Sequence, residues 1–350
     1  MNSGLLKRLC ETPGVSGYEE KIAALVADEM RPLVDTVRFD ALGNVIGVKK
    51  GSGGPRLMIA AHVDEIGFFV KHVDDQGFLR LQQVGFWDAR NLVSQRVLVQ
   101  GFAGQTLRGA LQLAAKPIHL LDPSEIKPLK LDDLFVDLGM SAEQVRASVG
   151  VGDMVTMDRT FEETATCVMS KALDDRVCVY VMLEALRIVG PTSAEIVAVA
   201  STQEEVGLRG ARAAAFDVQP EIAIGLDVTL AVNIPGAPPE SAVTRLGAGP
   251  AIKIIDSSMI ANPKVVRHLR DIADALAIPH QLELLPFGGQ DGGAMQLARG
   301  GAAAGTISVP TRYVHSPNEM ASKDDIDGAI RLLARFMEEA GSRSYRFDGA

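Results

Sequence analysis

The stretch EIVAVASTQEEVGLRGA, residues 195–211, places two adjacent glutamates, Glu204 and Glu205, shortly after a short apolar run. A run of this length, bounded by polar residues, is typical of a strand that is buried on both faces. The glycines at 207 and 210 indicate that a turn follows. The two carboxylates are therefore predicted to lie just beyond the carboxyl end of a buried strand.

Helical and strand-like segments alternate around this stretch. The segments that read as helices are DRVCVYVMLEALRIVG (175–190), NPKVVRHLRDIADALAI (262–278) and DDIDGAIRLLARFMEEAG (324–341). Between them stand the apolar runs EIAIGLDV (221–228) and AGTISVP (304–310). Because parallel strands need crossover connections, this alternation predicts an α/β fold with a mostly parallel sheet sandwiched by helices.

A different pattern fills residues 69–163, where short strand-like runs such as QRVLVQG and TLRGALQL follow one another with little helix. This pattern is typical of a compact β-rich module. We therefore predict two domains. Residues 1–68 and 164–350 form a catalytic α/β domain, and residues 69–163 form an inserted β-rich domain that covers the site or contributes to subunit contacts.

The charge and the apolar content of the chain exclude several classes of partner. A formal net charge of −9 over 350 residues offers no basic face to nucleic acid or to an anionic membrane. The apolar runs are shorter than a membrane span, and the N-terminal stretch lacks the apolar core of a secretory signal, so we expect a cytoplasmic protein. Three cysteines without metal-type spacing favour neither disulfides nor a thiolate zinc site.

Polar side chains follow the predicted strands of the α/β domain at the points where the strands end. In an open α/β sheet, the carboxyl ends of the strands meet at one crevice, so residues far apart in the chain converge there. The residues concerned are His62, Asp64, Glu204, Glu205, Asp227 and His315. Asp174 and Asp175, which open a predicted helix, complete the set. Any one of them alone is more often structural, but together they predict a site.

This set offers two imidazoles and several carboxylates but no thiolate, which suits zinc, cobalt or manganese. Two-metal hydrolases usually share one carboxylate between two ions, and each ion then takes one histidine and one further carboxylate. One of the adjacent glutamates remains free to act as general base. Asp64 points the same way as His62 along the strand and can hold the second ring nitrogen of that histidine.

Several motifs, in order along the chain, resemble one known family. They are ETPGVSGYE (11–19), AAHVDEIGF (60–68), SKALDDR (170–176), STQEEVGLRGA (201–211), LDV (226–228) and ISVPTRYVHSPNE (307–319). The family is that of the glutamyl, leucyl and deblocking aminopeptidases that assemble as tetrahedral, or TET, particles. The resemblance covers nearly the whole chain. It implies a zinc-exopeptidase-like α/β domain with a PDZ-like or β-barrel insertion, and a homo-oligomer in which dimers assemble into a dodecamer.

The resemblance also implies two divalent metal ions per subunit, zinc or cobalt first and manganese as a further option. One ion is implied to be held by His62, Asp174 and Asp227, and the other by Asp174, Glu205 and His315, with Asp174 shared. The catalytic residues implied are Glu204, as general base, and Asp64, as the partner of His62. A cis peptide bond is implied next to Asp175.

The function predicted on this basis is that of a dinuclear metallo-aminopeptidase acting on peptides. A hydroxide bound by both ions would attack the scissile carbonyl, and Glu204 would pass the proton to the leaving amine. The alternatives are an endoglucanase-type glycoside hydrolase, which leaves both histidines unexplained, and a catalytically silent scaffold or binding protein, which predicts broken ligand positions where none is broken.

The preferred N-terminal residue stays open at this stage. Gln290, in GGQDGGA, stands where members of the family often carry threonine. Arg209, Lys253 and Arg312 are weighed as partners for an acidic substrate side chain, against the default that exposed basic residues are simply solvated.

Overall fold

The computed structural model describes residues 1–115, 128–238, 240 and 242–347. Its helices are α1 (Ser3–Glu11), α2 (Glu20–Met30), α3 (Ala142–Ser148), α4 (Leu173–Ile188), α5 (Arg209–Val218), α6 (Pro263–Ala275), α7 (Asp291–Gln296) and α8 (Lys323–Glu339). Among these described helices, none combines the length and the apolar character that crossing a membrane requires.

The strands before the middle of the chain are β1 (Thr36–Phe39), β2 (Val45–Lys49), β3 (Arg56–His62), β4 (Gly67–Val73), β5 (Leu79–Val84), β6 (Gln95–Gln100), β7 (Thr106–Leu113), β8 (Leu134–Asp137) and β9 (Met154–Met157). The later strands are β10 (Glu162–Glu163), β11 (Cys167–Ser170), β12 (Glu195–Ser201), β13 (Ile222–Leu230), β14 (Ala251–Ile255), β15 (Gln281–Leu284), β16 (Ala303–Arg312) and β17 (Glu319–Ser322).

A mixed sheet of 11 strands forms the centre of the larger domain. Its middle strands, β12, β3, β13 and β16, are parallel neighbours in that order. Antiparallel strands extend the sheet on both sides, with β2 and β1 beyond β12 and with β17, β11 and β10 beyond β16. The predicted α/β class is confirmed, and the parallel pairing is concentrated at the centre, where helical crossovers connect the strands.

Helices cover both faces of the central strands, which explains why β3 and β12 are apolar along nearly their whole length. Gly305 pairs with Ile224 and would place a Cβ against Val265 of α6. Gly225, the next residue along β13, faces the opposite side. A Cβ there would lie 2.3 Å from Oε1 of Gln290, so only glycine fits. Gln290 is therefore packed into the domain against β13.

The smaller domain is a closed barrel with the strand order β4-β5-β8-β7-β6-β9, from Gly67 to Met157. It has its own apolar core, in which Phe68 stacks on Trp87 beside Val97 and Leu111. The predicted inserted β-rich domain is thus confirmed as a barrel. The boundaries of 69–163 stay a prediction, and residues 116–127 of that stretch lie outside the described part of the chain.

Candidate metal centre

The residues singled out in the sequence lie at the carboxyl edge of the central sheet. His62 ends β3, and the neighbouring parallel strand β12 ends three residues before Glu204. Asp227 lies on β13, beyond the last residue of that strand that pairs with β3. His315 follows β16 by three residues. Because these strands are parallel, their ends bring the side chains to one place.

Asp174 lies between the two imidazoles. Its Oδ1 is 3.1 Å from Nε2 of His62, and its Oδ2 is 3.3 Å from Nε2 of His315. Nε2 of His315 is also 3.4 Å from Oε2 of Glu205. The first residues of α4 are not helical, and the peptide bond between Asp174 and Asp175 is cis, as the resemblance implies. One carboxylate therefore faces both histidines, through a different oxygen in each case.

The donor atoms are close enough to hold cations. One each from His62, Asp174 and Glu205 lie within 4.8 Å of one another, and so do one each from His62, Asp175 and Asp227. The first group contains His62 where the resemblance implies His315, and the second contains Asp175 where it implies Asp174. Among the described residues, Oδ1 of Asp175 and Oε1 of Glu205 are buried without a hydrogen-bond partner, which is costly unless a ligand satisfies them. This donor set fits divalent cations.

The carboxylates of the cluster repel one another. Burial, together with the charges of Asp227 and Glu205, raises the pKa of Glu204 well above its usual range. Burial and the charge of Asp174 raise the pKa of Asp227 in the same way. Burial lowers the pKa of His315, but hydrogen bonds to Asp174 and Glu205 outweigh it and raise that pKa to about 12. The cluster therefore attracts positive charge, either as protons or as cations in their place.

Asp64 connects the histidine of β3 with both glutamates. Its Oδ1 is 3.3 Å from Nδ1 of His62 and accepts a hydrogen bond from the N–H of Glu204 at 3.0 Å. Its Oδ2 accepts hydrogen bonds from the N–H of Glu205 at 3.1 Å and from Oγ of Ser16 at 2.6 Å. The hydrogen bond of His62 Nδ1 is made to the backbone carbonyl oxygen of Asp64 at 3.0 Å, so the predicted contact with the carboxylate is the longer of the two. The bonds to the loop of the glutamates add a second function, because they fix the backbone that carries Glu204 and Glu205.

The segment 11–19 supports the same loop, a function that its sequence does not indicate. Oε1 of Glu19 accepts hydrogen bonds from the N–H of Gln203 at 3.0 Å and from the N–H of Gly17 at 2.8 Å. Gln203 has φ 56°, a left-handed conformation that is unfavourable for a residue with a side chain. The carboxylate of Glu19 therefore stabilises the turn before Glu204. The only signal for it in the sequence is its place inside the motif ETPGVSGYE.

A cavity of about 780 Å³ opens beside the cluster, and its walls are largely apolar. The apolar residues lining it are Phe86, Leu208, Val228, Leu230, Leu285, Phe287 and Val314. Phe86, Asp88 and Asn91 come from the segment between β5 and β6 of the barrel, so both domains contribute to the cavity. None of the described residues that line it is a lysine or an arginine.

The three basic residues weighed as substrate contacts are engaged elsewhere. Arg209 and Arg312 donate hydrogen bonds to nearby side-chain and backbone oxygens outside the cavity. Lys253 is only 2 % exposed, and its Nζ lies 2.8 Å from Oε1 of Glu283 and 3.1 Å from Oδ2 of Asp256. The lining of the cavity therefore gives no support to a pocket for acidic side chains, and Lys253 belongs to a buried ion-pair cluster.

Replacing Lys253 by methionine, which has a similar volume, is expected to lower the free energy of unfolding by about 3 to 5 kcal/mol. The reason is that Asp256 and Glu283 would remain buried without their cation. Urea unfolding followed by circular dichroism measures the change, and Lys7→Met, at an exposed position, is the control. A loss below 1 kcal/mol would show that the ion pairs of Lys253 do not stabilise the folded protein.

Comparison with known proteins places the chain among peptidases. A family model described as M42 glutamyl aminopeptidase matches residues 43–332. A putative aminopeptidase of Acetivibrio thermocellus is 41% identical over 94% of this chain and 96% of its own length. The lysyl aminopeptidase of Pyrococcus furiosus is 37% identical over 96% of both chains.

Solved structures agree with these similarities. An aminopeptidase from the archaeon Desulfurococcus kamchatkensis superimposes with a TM-score of 0.92 and 41% identity, covering 96% of this chain and 94% of the other. The TET1 peptidase of Pyrococcus horikoshii, which can assemble into a tetrahedron or a large octahedral shell, gives a TM-score of 0.85 and 29% identity, covering 96% and 99%. A Thermotoga maritima structure named endoglucanase superimposes with a TM-score of 0.80 and 28% identity, covering 96% of this chain and 97% of the other.

Proposed function

The chain belongs to the M42 glutamyl aminopeptidase family and is a peptide hydrolase, and from this premise we propose that it releases N-terminal residues from peptides with the help of two divalent cations. The observation that carries the proposal is the carboxylate of Asp174 facing both His62 and His315. A carboxylate shared in this way is the common feature of two-metal hydrolases.

The residues divide into ligands and proton-transfer groups. The proposed ligands are His62, Asp174 and Asp227 for one cation and Asp174, Glu205 and His315 for the other. Asp175 lies close enough to His62 and Asp227 to complete the first of these sites. Zinc and cobalt are the proposed ions, with manganese as a third possibility, because imidazole and carboxylate suit all three. When bound, such ions lower the pKa of water and polarise a carbonyl.

The residues of the chain supply proton transfer and positioning. Glu204 lines the cavity, and its Oε2 lies 3.9 Å from Nε2 of His62. Among the described residues, no backbone group forms a hydrogen bond with its side chain. Its carboxylate is therefore available to take a proton from the attacking water. The same carboxyl group then delivers the proton to the leaving amine. Asp64 keeps Glu204 in place through the backbone and orients His62, so it acts as a positioning group rather than as a base.

The walls of the cavity support a preference for apolar N-terminal residues. Phe86 and Phe287 are exposed and flank an opening whose described lining contains no lysine or arginine. Asp88, the acidic group from the barrel, is already paired with Arg90. A glutamate side chain would lose its hydration against these apolar walls without gaining a lysine or arginine partner, which is costly.

We therefore expect kcat/KM for leucine release to exceed that for glutamate release by about 100-fold or more, with lysine between them. The measurement is the initial rate on a panel of aminoacyl substrates before chelation, after chelation, and after addition of zinc, cobalt or manganese. Release that a chelator abolishes and metal restores supports the proposed function. A preference for glutamate would contradict only the proposed apolar pocket. If no substrate of the panel released an amino acid, the proposed function itself would be contradicted.

We also propose a homo-oligomer of dimers assembled into a dodecamer, in line with the dodecamer and the tetrahedron described for the TET1 peptidase. Light scattering that found a stable, active monomer would contradict it.

The glycoside hydrolase alternative loses its basis, because it leaves the two histidines without a function in a family of peptidases. A silent scaffold would have broken ligand positions, and all six positions predicted for the ligands and the base carry suitable groups.

A further inference from the structure

Glu319 joins two segments of the candidate metal centre. It is the first residue of β17, lies opposite Ser170 of β11, and is 2 % exposed. Its Oε2 accepts a hydrogen bond from the N–H of Asp174 at 3.0 Å, and its Oε1 accepts one from the N–H of His315 at 2.8 Å. Asp174 is 145 residues away in the sequence, at the start of α4. One buried carboxylate thus holds the backbones of both residues whose side chains meet at the centre.

We infer that Glu319 is a positioning residue that sets the separation between the carboxylate of Asp174 and the imidazole of His315, and through it the affinity for a cation between them. The inference rests on the proposed function, in which these two residues are ligands. Both oxygens of Glu319 already accept N–H groups, so the side chain acts through the backbone and not as a further ligand.

The backbone of His315 needs such support. Its φ is 61°, and Tyr313, two residues earlier, has φ 60°. Side chains disfavour this left-handed region, so two such residues in one short loop persist only when their surroundings hold them. The bond from the His315 N–H to Glu319 spans four residues and closes the loop. It therefore fixes the direction in which the imidazole leaves the backbone.

The chemistry requires a carboxylate rather than an amide. A carboxyl group offers two oxygens as acceptors, and each oxygen of Glu319 takes one N–H. A glutamine in its place offers one oxygen, and its NH₂ group would face the other N–H. At least one of the two hydrogen bonds would be lost, and in its place the side-chain NH₂ and a backbone N–H, both donors, would face each other.

Asp64 provides a parallel for this arrangement on the other side of the centre. It accepts the backbone N–H groups of Glu204 and Glu205 and also contacts His62. Together, Asp64 and Glu319 hold the segments of Asp174, His315, His62 and the two glutamates. Partners of metal ligands typically contribute 10- to 100-fold in metal affinity.

The test is a titration of the metal-free protein with Co²⁺, read by visible absorbance and by calorimetry, for wild type and Glu319→Gln. We expect the dissociation constant for Co²⁺ to rise by about 10- to 100-fold in the variant. At saturating Co²⁺, KM for the leucine substrate should stay within twofold while kcat falls, because Glu319 does not line the cavity. The metal titration does not depend on catalysis.

Asp325 offers a matched control. Its two carboxylate oxygens accept the N–H groups of Gly247 and Gly249, both at 2.7 Å, and it is also fully buried, but it contacts no proposed ligand. Asp325→Asn should therefore lose stability in a similar way and bind Co²⁺ within twofold of wild type. This comparison separates a local loss of folding stability from a change at the metal centre.

The outcomes are distinct. Glu319→Gln binding Co²⁺ like wild type, with a stability loss like that of Asp325→Asn, would overturn the inference. If Glu319→Gln does not fold, Glu319→Asp is the deciding variant. It keeps the carboxyl group, but the shorter side chain cannot reach both N–H groups. Weakened Co²⁺ binding then supports the inference, and unchanged binding overturns it. A wild-type protein that binds no Co²⁺, Zn²⁺ or Mn²⁺ would instead contradict the proposed function.

Discussion

Replacing Glu204 by glutamine is expected to lower kcat for leucine release by about 10²- to 10⁴-fold, the usual contribution of a general acid–base group. The substitution keeps the size of the side chain and removes its ability to take a proton from water. The backbone N–H of residue 204 would still bond to Asp64, so the loop should keep its shape. The cation content should therefore equal that of wild type when measured by atomic emission.

The adjacent glutamate provides the control for this experiment. Glu205 lies 3.4 Å from Nε2 of His315 and is a proposed ligand. Glu205→Gln should lose both rate and bound cation, and excess metal should restore part of the rate. Glu204→Gln should lose rate alone, and excess metal should not restore it. A Glu204→Gln enzyme with wild-type kcat would remove Glu204 from proton transfer.

Replacing His315 by alanine is expected to weaken cation binding at its position by more than about 100-fold, since loss of a ligand costs more than loss of a group that supports one. Asp174 and Glu205 would remain, but they would have no imidazole to complete the set. Calorimetry on the metal-free protein should show one strong equivalent of Co²⁺ where wild type shows two. Activity should fall with it at low metal concentration.

His72 is the appropriate control, because it lies exposed on β4 of the barrel and away from the central sheet. His72→Ala should bind two equivalents, as wild type does. Two strong equivalents in His315→Ala would refute the assignment of that histidine as a ligand. Loss of both would mean that the two cations bind as a unit, with Asp174 shared between them.

The sequence predicts the side chains that end the central strands because two regular features coincide there. Apolar runs identify the buried strands, and in a parallel arrangement the polar residue after each run must lie at the same edge. His62, Glu204, Glu205 and His315 follow from this rule. Asp174 does not follow one of the parallel central strands but lies between the antiparallel strand β11 and the body of α4, so its place at the start of a helix and the motif SKALDDR are what mark it.

The supporting residues are harder to predict because they act on backbone groups of distant loops. The bond from the Asp174 N–H to Glu319 depends on β17 lying beside β11, a pairing that no periodicity in the sequence reveals. The bond from Gln203 to Glu19 depends in the same way on how the N-terminal segment packs against the sheet. The sequence allows Lys253 to be either a substrate contact or a solvated surface residue. In the structure it is neither, because it is buried between Asp256 and Glu283.

The cavity combines residues from the two domains, which are separate structural units. The sheet edge supplies the chemistry, and its geometry tolerates little change. The segment 86–91, between two barrel strands, supplies Phe86 and Asp88 to the wall without bonding to any proposed ligand. Substitutions in that segment are therefore expected to change which peptides the enzyme prefers more than they change its reaction, and exchanging barrels between family members would separate the two properties.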